Sequence, residues 1–180
     1  MIYFWIIIYN LVAKHLPKSR RGKIIRAVRS ALFKKIALKT GTDVNIEKNA
    51  TFNHWIKIGN HSGIGVNCEM NGTEGGVISI GDNVMMGPNV VIYTRNHESS
   101  RIDIPMREQG YAAPQPVNIG NDVWIGRNCI ILPGATIRNG VIIAAGAVVP
   151  KGEYPEYSVI GGVPARVIKF RKDNANVENN

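Results

Sequence analysis

The first forty residues contain no Asp or Glu, although they hold ten Lys or Arg. Residues 41–180 hold twelve basic and thirteen acidic side chains, so the formal excess of +9 sits entirely in the N-terminal segment. A nucleic-acid enzyme carries basic charge through the body that holds its site. Here the charge reads as an anchor, and nucleic acid is not an expected partner. Cysteine is equally scarce. Cys68 and Cys129 are the only two, which excludes a disulfide framework and a recognisable zinc module. They read as buried free thiols. A membrane-spanning run is also lacking. The apolar stretch from Met1 to Ala13, MIYFWIIIYNLVA, falls short of the roughly 20 residues a spanning helix needs. It carries neither the charged start nor the small-residue cleavage site of a signal peptide.

Beyond that stretch come a break at Pro17 and a basic segment. Ser19 is the expected cap of a second helix running to Gly41. Ile25, Val28, Leu32 and Ile36 fall on one helical face, with Arg20, Arg21, Lys23, Arg26, Arg29, Lys34 and Lys35 around the rest. Residues 1–41 are therefore expected to form a basic amphipathic helical segment. Its aromatic start and its cations suit the surface of an anionic membrane. The basic run behind the apolar stretch places that contact on the cytoplasmic, inner face of the plasma membrane. The competing expectation is that the apolar face packs on the domain or on a neighbouring subunit.

From Ile46 onward a six-residue period takes over. Ile46, Phe52, Ile58, Ile64 and Met70 start it, Ile80, Met86 and Ile92 continue it, and Ile119, Ile125, Ile131, Ile137, Ile143 and Val149 complete it. A small or aliphatic residue recurs four positions after most of these, including Cys68 and Cys129. Gly often comes directly after the large residue, as in Ile58-Gly59 and Ile125-Gly126. A helix cannot use a period of six. Short strands joined by tight turns can, each unit forming one side of a stacked coil. The expectation is an all-β parallel β-helix over residues 42–171, a triangular prism preceded by the helical segment and ending in a polar tail at 172–180. Two interruptions stand out: NGTEGGVIS at 71–79, and a loop at 93–118 that leaves the ladder. A long loop on a regular scaffold points to function. Its only histidine is His97, a group able to take a proton from a hydroxyl and return one to a thiolate.

The runs IGDNVMMGPNVVIYTRNH, VNIGNDVWIGRNCIILPGATI and VIIAAGAVVPKGEYPEYSVIGGVPARVIKF resemble the maltose and galactoside O-acetyltransferase branch of the hexapeptide-repeat acyltransferases, over roughly residues 44–171. The resemblance implies a left-handed coil, a homotrimer and acetyl-CoA as cosubstrate, with no metal. It implies His97 as general base and Asn67 as a group that orients the reacting hydroxyl. It places Trp124, Gly126, Ala145 and Ala147 along the pantetheine arm, with an N–H near Gly126 facing the developing oxyanion. Lys151, Arg166 and Lys169 would face the CoA phosphates, and Pro164 the adenine. Glu98 stands where that branch has Pro, and a basic anchor replaces its soluble helical start. The stretch IDIPMREQG resembles acetyltransferases of bacterial exopolysaccharide, capsule and lipopolysaccharide pathways. The acceptor is accordingly expected to be a sugar or a lipid-linked saccharide.

Other readings stay open on the sequence alone. The same fold serves amine or serine acceptors, and a non-catalytic scaffold would keep the coil alone. A zinc carbonic anhydrase of this fold would need converging histidines; His54, His61 and His97 lack the paired spacing.

Overall fold

A computed structural model describes residues 1–19 and 22–171; the polar tail expected at 172–180, and Arg20 and Arg21, lie outside them. Among the described residues, seventeen short strands wind into three parallel faces. The first face stacks β1 (Lys39–Thr40), β4 (Ile56–Ile58), β7 (Ile78–Ile80), β10 (Val117–Ile119), β13 (Ala135–Ile137) and β16 (Gly152–Tyr154). The second carries β2 (Asn45–Ile46), β5 (Gly63–Ile64), β8 (Met85–Met86), β11 (Trp124–Ile125), β14 (Ile142–Ile143) and β17 (Ser158–Gly162). The third stacks β3 (Thr51–Phe52), β6 (Glu69–Asn71), β9 (Val91–Tyr93), β12 (Ile130–Ile131) and β15 (Val148–Val149). A last strand, β18 (Ala165–Phe170), folds back antiparallel on β17. This is the parallel β-helix expected from the six-residue period.

The ladder explains the core. Of the fourteen periodic positions all but Phe52 and Met86 are buried, and those two pack partly against the same cluster. The Ile-Gly pairs have a steric cause. A Cβ on Gly59 would sit 2.6 Å from the carbonyl carbon of Gly81 in the next coil, and one on Gly126 would sit 2.6 Å from the nitrogen of Ala145. Only glycine lets the coils approach that closely. The corners between the second and third faces turn through residues with φ near +60°, namely Asn49, Asn67, Asn89 and Asn128. Asparagine tolerates this conformation better than other side chains.

The N-terminal segment is helical as expected, with different bounds and a different cap. It makes two helices, α1 (Ile2–Leu11) and α2 (Lys23–Ile36), joined by a short 3₁₀ turn at Ala13–His15. Gly22, not Ser19, precedes α2. The Ser19 hydroxyl instead donates to the Ile46 carbonyl at 3.0 Å, and its N–H bonds to Glu47 at 2.9 Å. The helix stops at Ile36 because Ala37 is already extended, and Lys39–Thr40 joins the first sheet face. The buried face holds Arg29, Phe33 and Ile36, while Val28 is exposed. Tyr9, Phe33 and Phe52 form one aromatic cluster, with ring centroids 4.4 and 4.7 Å apart. The Tyr9 hydroxyl donates to Ala50 O at 2.8 Å. Both helices thus cap the first coil and share its core. No helix among the described residues is long and apolar enough to cross a membrane.

Candidate active site

The corner between the third and first faces carries the chain's departures from regularity. It holds residues 53–55, the excursion after β6, and the loop between β9 and β10. That loop is a hairpin at its root. Ala112 N–H donates to Asn96 O and Glu98 N–H to Gly110 O, both at 3.1 Å, so His97 faces Tyr111 across the pair. Their rings stack with centroids 4.5 Å apart, and the Arg95 guanidinium lies 4.0 Å from the Tyr111 ring centroid. His97 is exposed. Farther out, Gln109 accepts from Arg101 N–H and donates to the Arg101 and Ile104 carbonyls, which closes the loop tip. Glu98, in the position where proline was expected, accepts from the Ser99 and Ser100 N–H groups, and these bonds hold its carboxyl below the usual range. Lys151 lies on this same corner, beside Gly134.

The other expected residues occupy a different corner. Asn67 belongs to a side-chain ladder: it accepts from Asn49 Nδ2 at 3.1 Å and donates to Asn89 Oδ1 at 3.1 Å, and Asn89 donates to Asn128 at 2.9 Å. The ladder consumes one amide hydrogen and one lone pair of Asn67. One of each remains for a ligand. Gly126 and Ala145 lie on the same corner, later in the coil. Trp124 projects from the second face, half-exposed, in register with Met85 and Ile142, so an apolar strip runs beside this corner. Pro164, Arg166 and Lys169 sit on the exposed β17–β18 hairpin that ends that face.

Backbone bonding narrows two expectations. The Gly126 N–H donates to Ile143 O at 2.8 Å, so it cannot also serve an oxyanion. Ala147 is fully buried; its N–H bonds to Ala144 and its carbonyl accepts from Ile130, so neither group faces a ligand. Bonds between stacked coils lock the Gly126 N–H and the Ala147 carbonyl, and a turn bond to Ala144 O holds the Ala147 N–H. The neighbouring Arg127 N–H and the exposed Ala145 take no part in such bonds among the described residues. A sequence pattern alone does not separate a free N–H from one used by the next coil.

Neither cysteine is placed for nucleophilic attack. Both are buried in the coil, with Sγ 3.2 Å from Gly87 O for Cys68 and 3.1 Å from Ala144 O for Cys129. Burial pushes the Cys68 thiol up to about 11 and raises that of Cys129. His54 Nδ1 lies 2.8 Å from Ile36 O and His61 pairs with Asp43 at 3.3 Å, each on its own coil. Among the described residues no three His, Cys, Asp or Glu side chains converge as a metal site.

One face of the prism separates His97 and Lys151 from Asn67, Arg127 and Ala145. A single chain therefore places the expected site residues on two separate corners. Family models match two stretches: "Bacterial transferase hexapeptide (six repeats)" over residues 116–151 and "Hexapeptide repeat of succinyl-transferase" over residues 55–94. A maltose O-acetyltransferase from Clostridium difficile 630 superposes with a TM-score of 0.67 at 36% identity, covering 81% of this chain and 75% of that one. A galactoside acetyltransferase in complex with coenzyme A gives a TM-score of 0.76 at 28% identity, covering 94% and 78%. An Escherichia coli (strain K12) O-acetyl transferase named for lipopolysaccharide biosynthesis is 38% identical over 93 residues, 48% of this chain and 47% of that protein. The chain spans less than half the length of the curated relatives it matches.

Proposed function

From the premise that this chain belongs to the hexapeptide-repeat acetyltransferases, we propose that it moves an acetyl group from acetyl-CoA to a hydroxyl of a saccharide. The observation that carries the reading is His97, exposed at the root of the loop and stacked on Tyr111. An imidazole there can remove the acceptor proton as the oxygen bonds to the acetyl carbon. The C–S bond then breaks, and His97 delivers the same proton to the CoA sulfur, so no covalent enzyme intermediate is needed. Developing negative charge on the acetyl oxygen requires a fixed donor, and the Arg127 N–H is unengaged for that role. The remaining amide hydrogen and lone pair of Asn67 would orient the acceptor. Trp124 and Ala145 would flank the pantetheine arm, while Lys151, Arg166 and Lys169 would meet the phosphates. The reading calls on no metal, since imidazole supplies the proton transfer.

Because these residues lie on separate corners, the working unit is a homotrimer in which His97 of one subunit faces Asn67 and Ala145 of the next. The acid-free, cation-rich start of the chain fits a peripheral enzyme of the cytoplasmic membrane face. That location suits bacterial exopolysaccharide, capsule or lipopolysaccharide synthesis. The test is thiol release from acetyl-CoA over a panel of saccharides, with wild type beside His97→Ala. Loss of about 10²–10⁴-fold in turnover with unchanged circular dichroism is expected. A variant as active as wild type would remove His97 from the mechanism.

A further inference from the structure

We infer that the acceptor is an amphiphile, a saccharide carried on a membrane lipid, and that α1 both rests on the bilayer and walls the acceptor's path to the base. This inference rests on the acetyl-transfer reading above and names its substrate class. Helix α1 has two apolar sides. Its inner side, Trp5, Ile6 and Tyr9, is spent on the core. Its outer side, Tyr3, Phe4, Ile7 and Leu11, stands in solvent at 78, 57, 55 and 73% exposure. Ile24 on α2 is 80% exposed as well. Apart from an edge contact of Phe4 with Trp5, ring centroids 5.2 Å apart, these side chains stand largely in solvent, and burying them elsewhere would be favourable.

Charge selects the occupant. Lys18, Lys23, Lys34 and Lys35 are exposed on this same segment, and residues 1–40 offer no carboxylate to balance them. An apolar ridge in a segment rich in exposed cations and free of carboxylates of its own complements an anionic lipid surface. A second copy of this chain docked ridge to ridge would bring its own ten cations against these, and its body over 41–180 is mixed in sign, with twelve basic and thirteen acidic residues.

A cleft runs from the ridge to Arg95, at the start of the loop that carries His97. It lies on the His97 corner, with Ile2, Tyr3 and Ile6 of α1 as one wall and Trp55, Glu74 and Arg95 among its others. Arg95 is the residue whose guanidinium lies on Tyr111, and Tyr111 stacks on His97. Tyr3 belongs to both the cleft and the outer ridge, so the cleft opens where the ridge would meet lipid. A sugar tethered in that bilayer reaches the base past a single helix. The reaction itself is unchanged: an O–H and a C–S bond break, an ester O–C and an S–H bond form.

The test uses the full chain, with the sugar chosen by the acceptor panel supplied as a soluble methyl glycoside and as a dodecyl glycoside in vesicles. Vesicles are phosphatidylcholine alone or with an equal share of phosphatidylglycerol. The wild type should pellet only with the anionic vesicles. It should acetylate the dodecyl glycoside there with a kcat/KM on the order of 10²-fold above the methyl glycoside, the gain that surface confinement supplies. A Phe4→Asp/Ile7→Asp double variant, altered only on the exposed ridge, should lose both effects and keep its turnover of the methyl glycoside. Equal efficiency on the two glycosides overturns the inference, as does a double variant that keeps the vesicle preference. Self-association that the double variant abolishes, without vesicle binding, also overturns it by naming a second copy as the occupant. Absence of transfer to either glycoside by the wild type, with His97→Ala no different, fails the acetyl-transfer reading and this inference together.

Discussion

At the scale of single residues, Tyr111 governs how the imidazole of His97, the proposed base, is presented. His97 makes no side-chain hydrogen bond among the described residues; its ring is held by the hairpin backbone and by the Tyr111 face. An imidazole free to turn would spend less time aligned with the acceptor hydroxyl, and misplacement of that kind costs rate more than binding. Tyr111→Ala is therefore expected to lower kcat by about tenfold or more, with the KM for acetyl-CoA little changed. Tyr111→Phe, which keeps the ring, should restore most of the loss. Steady-state kinetics on both variants decides the matter, and equal kinetics for alanine and wild type would make the stack incidental. His97 was legible because it is the only histidine of a loop that breaks a strict period. Tyr111 was not, because pairing inside an irregular loop leaves no periodic mark. Asn67 was legible only through resemblance, yet its ladder partners Asn49, Asn89 and Asn128 stand at the same corner of successive coils. Aligning the coils would have exposed that recurrence of a residue type suited to positive φ.

At the scale of elements, the coil and the presence of the N-terminal helices were readable, and the way those helices dock was not. Fourteen apolar positions in phase specify which side chains point inward, and stacking does the rest. In α2 the apolar spacing suggested a face through Val28 and put Arg29 outside. The structure buries Arg29 completely, where it donates to the carbonyls of Ala13 at 2.9 Å and Pro17 at 2.6 Å, to that of Leu16, and to Ser19 Oγ at 3.0 Å. The chain reversal between the helices leaves carbonyls without partners, and a guanidinium can satisfy several at once. Hydrophobic periodicity cannot reveal such a need, because it treats every arginine as solvent-facing. Burial draws the Arg29 pKa down from its ordinary value, and the neighbouring Tyr9 and Glu47 oppose that shift. Removing the side chain would strand buried acceptors. Arg29→Ala is expected to cost about 3–5 kcal/mol, the scale for breaking a buried charged network. Arg29→Lys should recover only part of it, since an ammonium lacks the planar fork. Urea midpoints on the three proteins measure this. A loss below about 1 kcal/mol, no more than an ordinary exposed contact is worth, would mean that α1 is docked by Tyr9 and its aromatic neighbours alone.

At the scale of the whole molecule, a triangular prism sets what one chain can do. Its three corners point apart, and the proposed base and the proposed acyl-binding turn occupy two of them. Lengthening a coil or adjusting a side chain does not bring one corner to another; only a neighbouring prism does. Strand order, which was legible in the period, imposes this separation together with the place of each residue along it. Closed rings of like subunits repeat one heterologous contact, so each interface would hold one complete site. The arrangement makes a prediction that separates it from a site built within one chain. His97→Ala removes the base on one corner. Ala145→Trp places an indole across an exposed turn on the other and leaves the buried ladder untouched. Each variant alone should be inactive. Mixed in equal amounts, dissociated and reassembled, they should regain roughly a quarter of the sites by random assortment in a ring, since one interface in four joins an intact base to an intact turn. Acetyl-CoA turnover of the reassembled mixture measures the recovery. A mixture as inactive as its components, while wild type treated identically recovers, would place the whole site within a single chain. The base and the turn would then have to meet through a movement of the loop across an entire face, which the hairpin pairing at its root opposes.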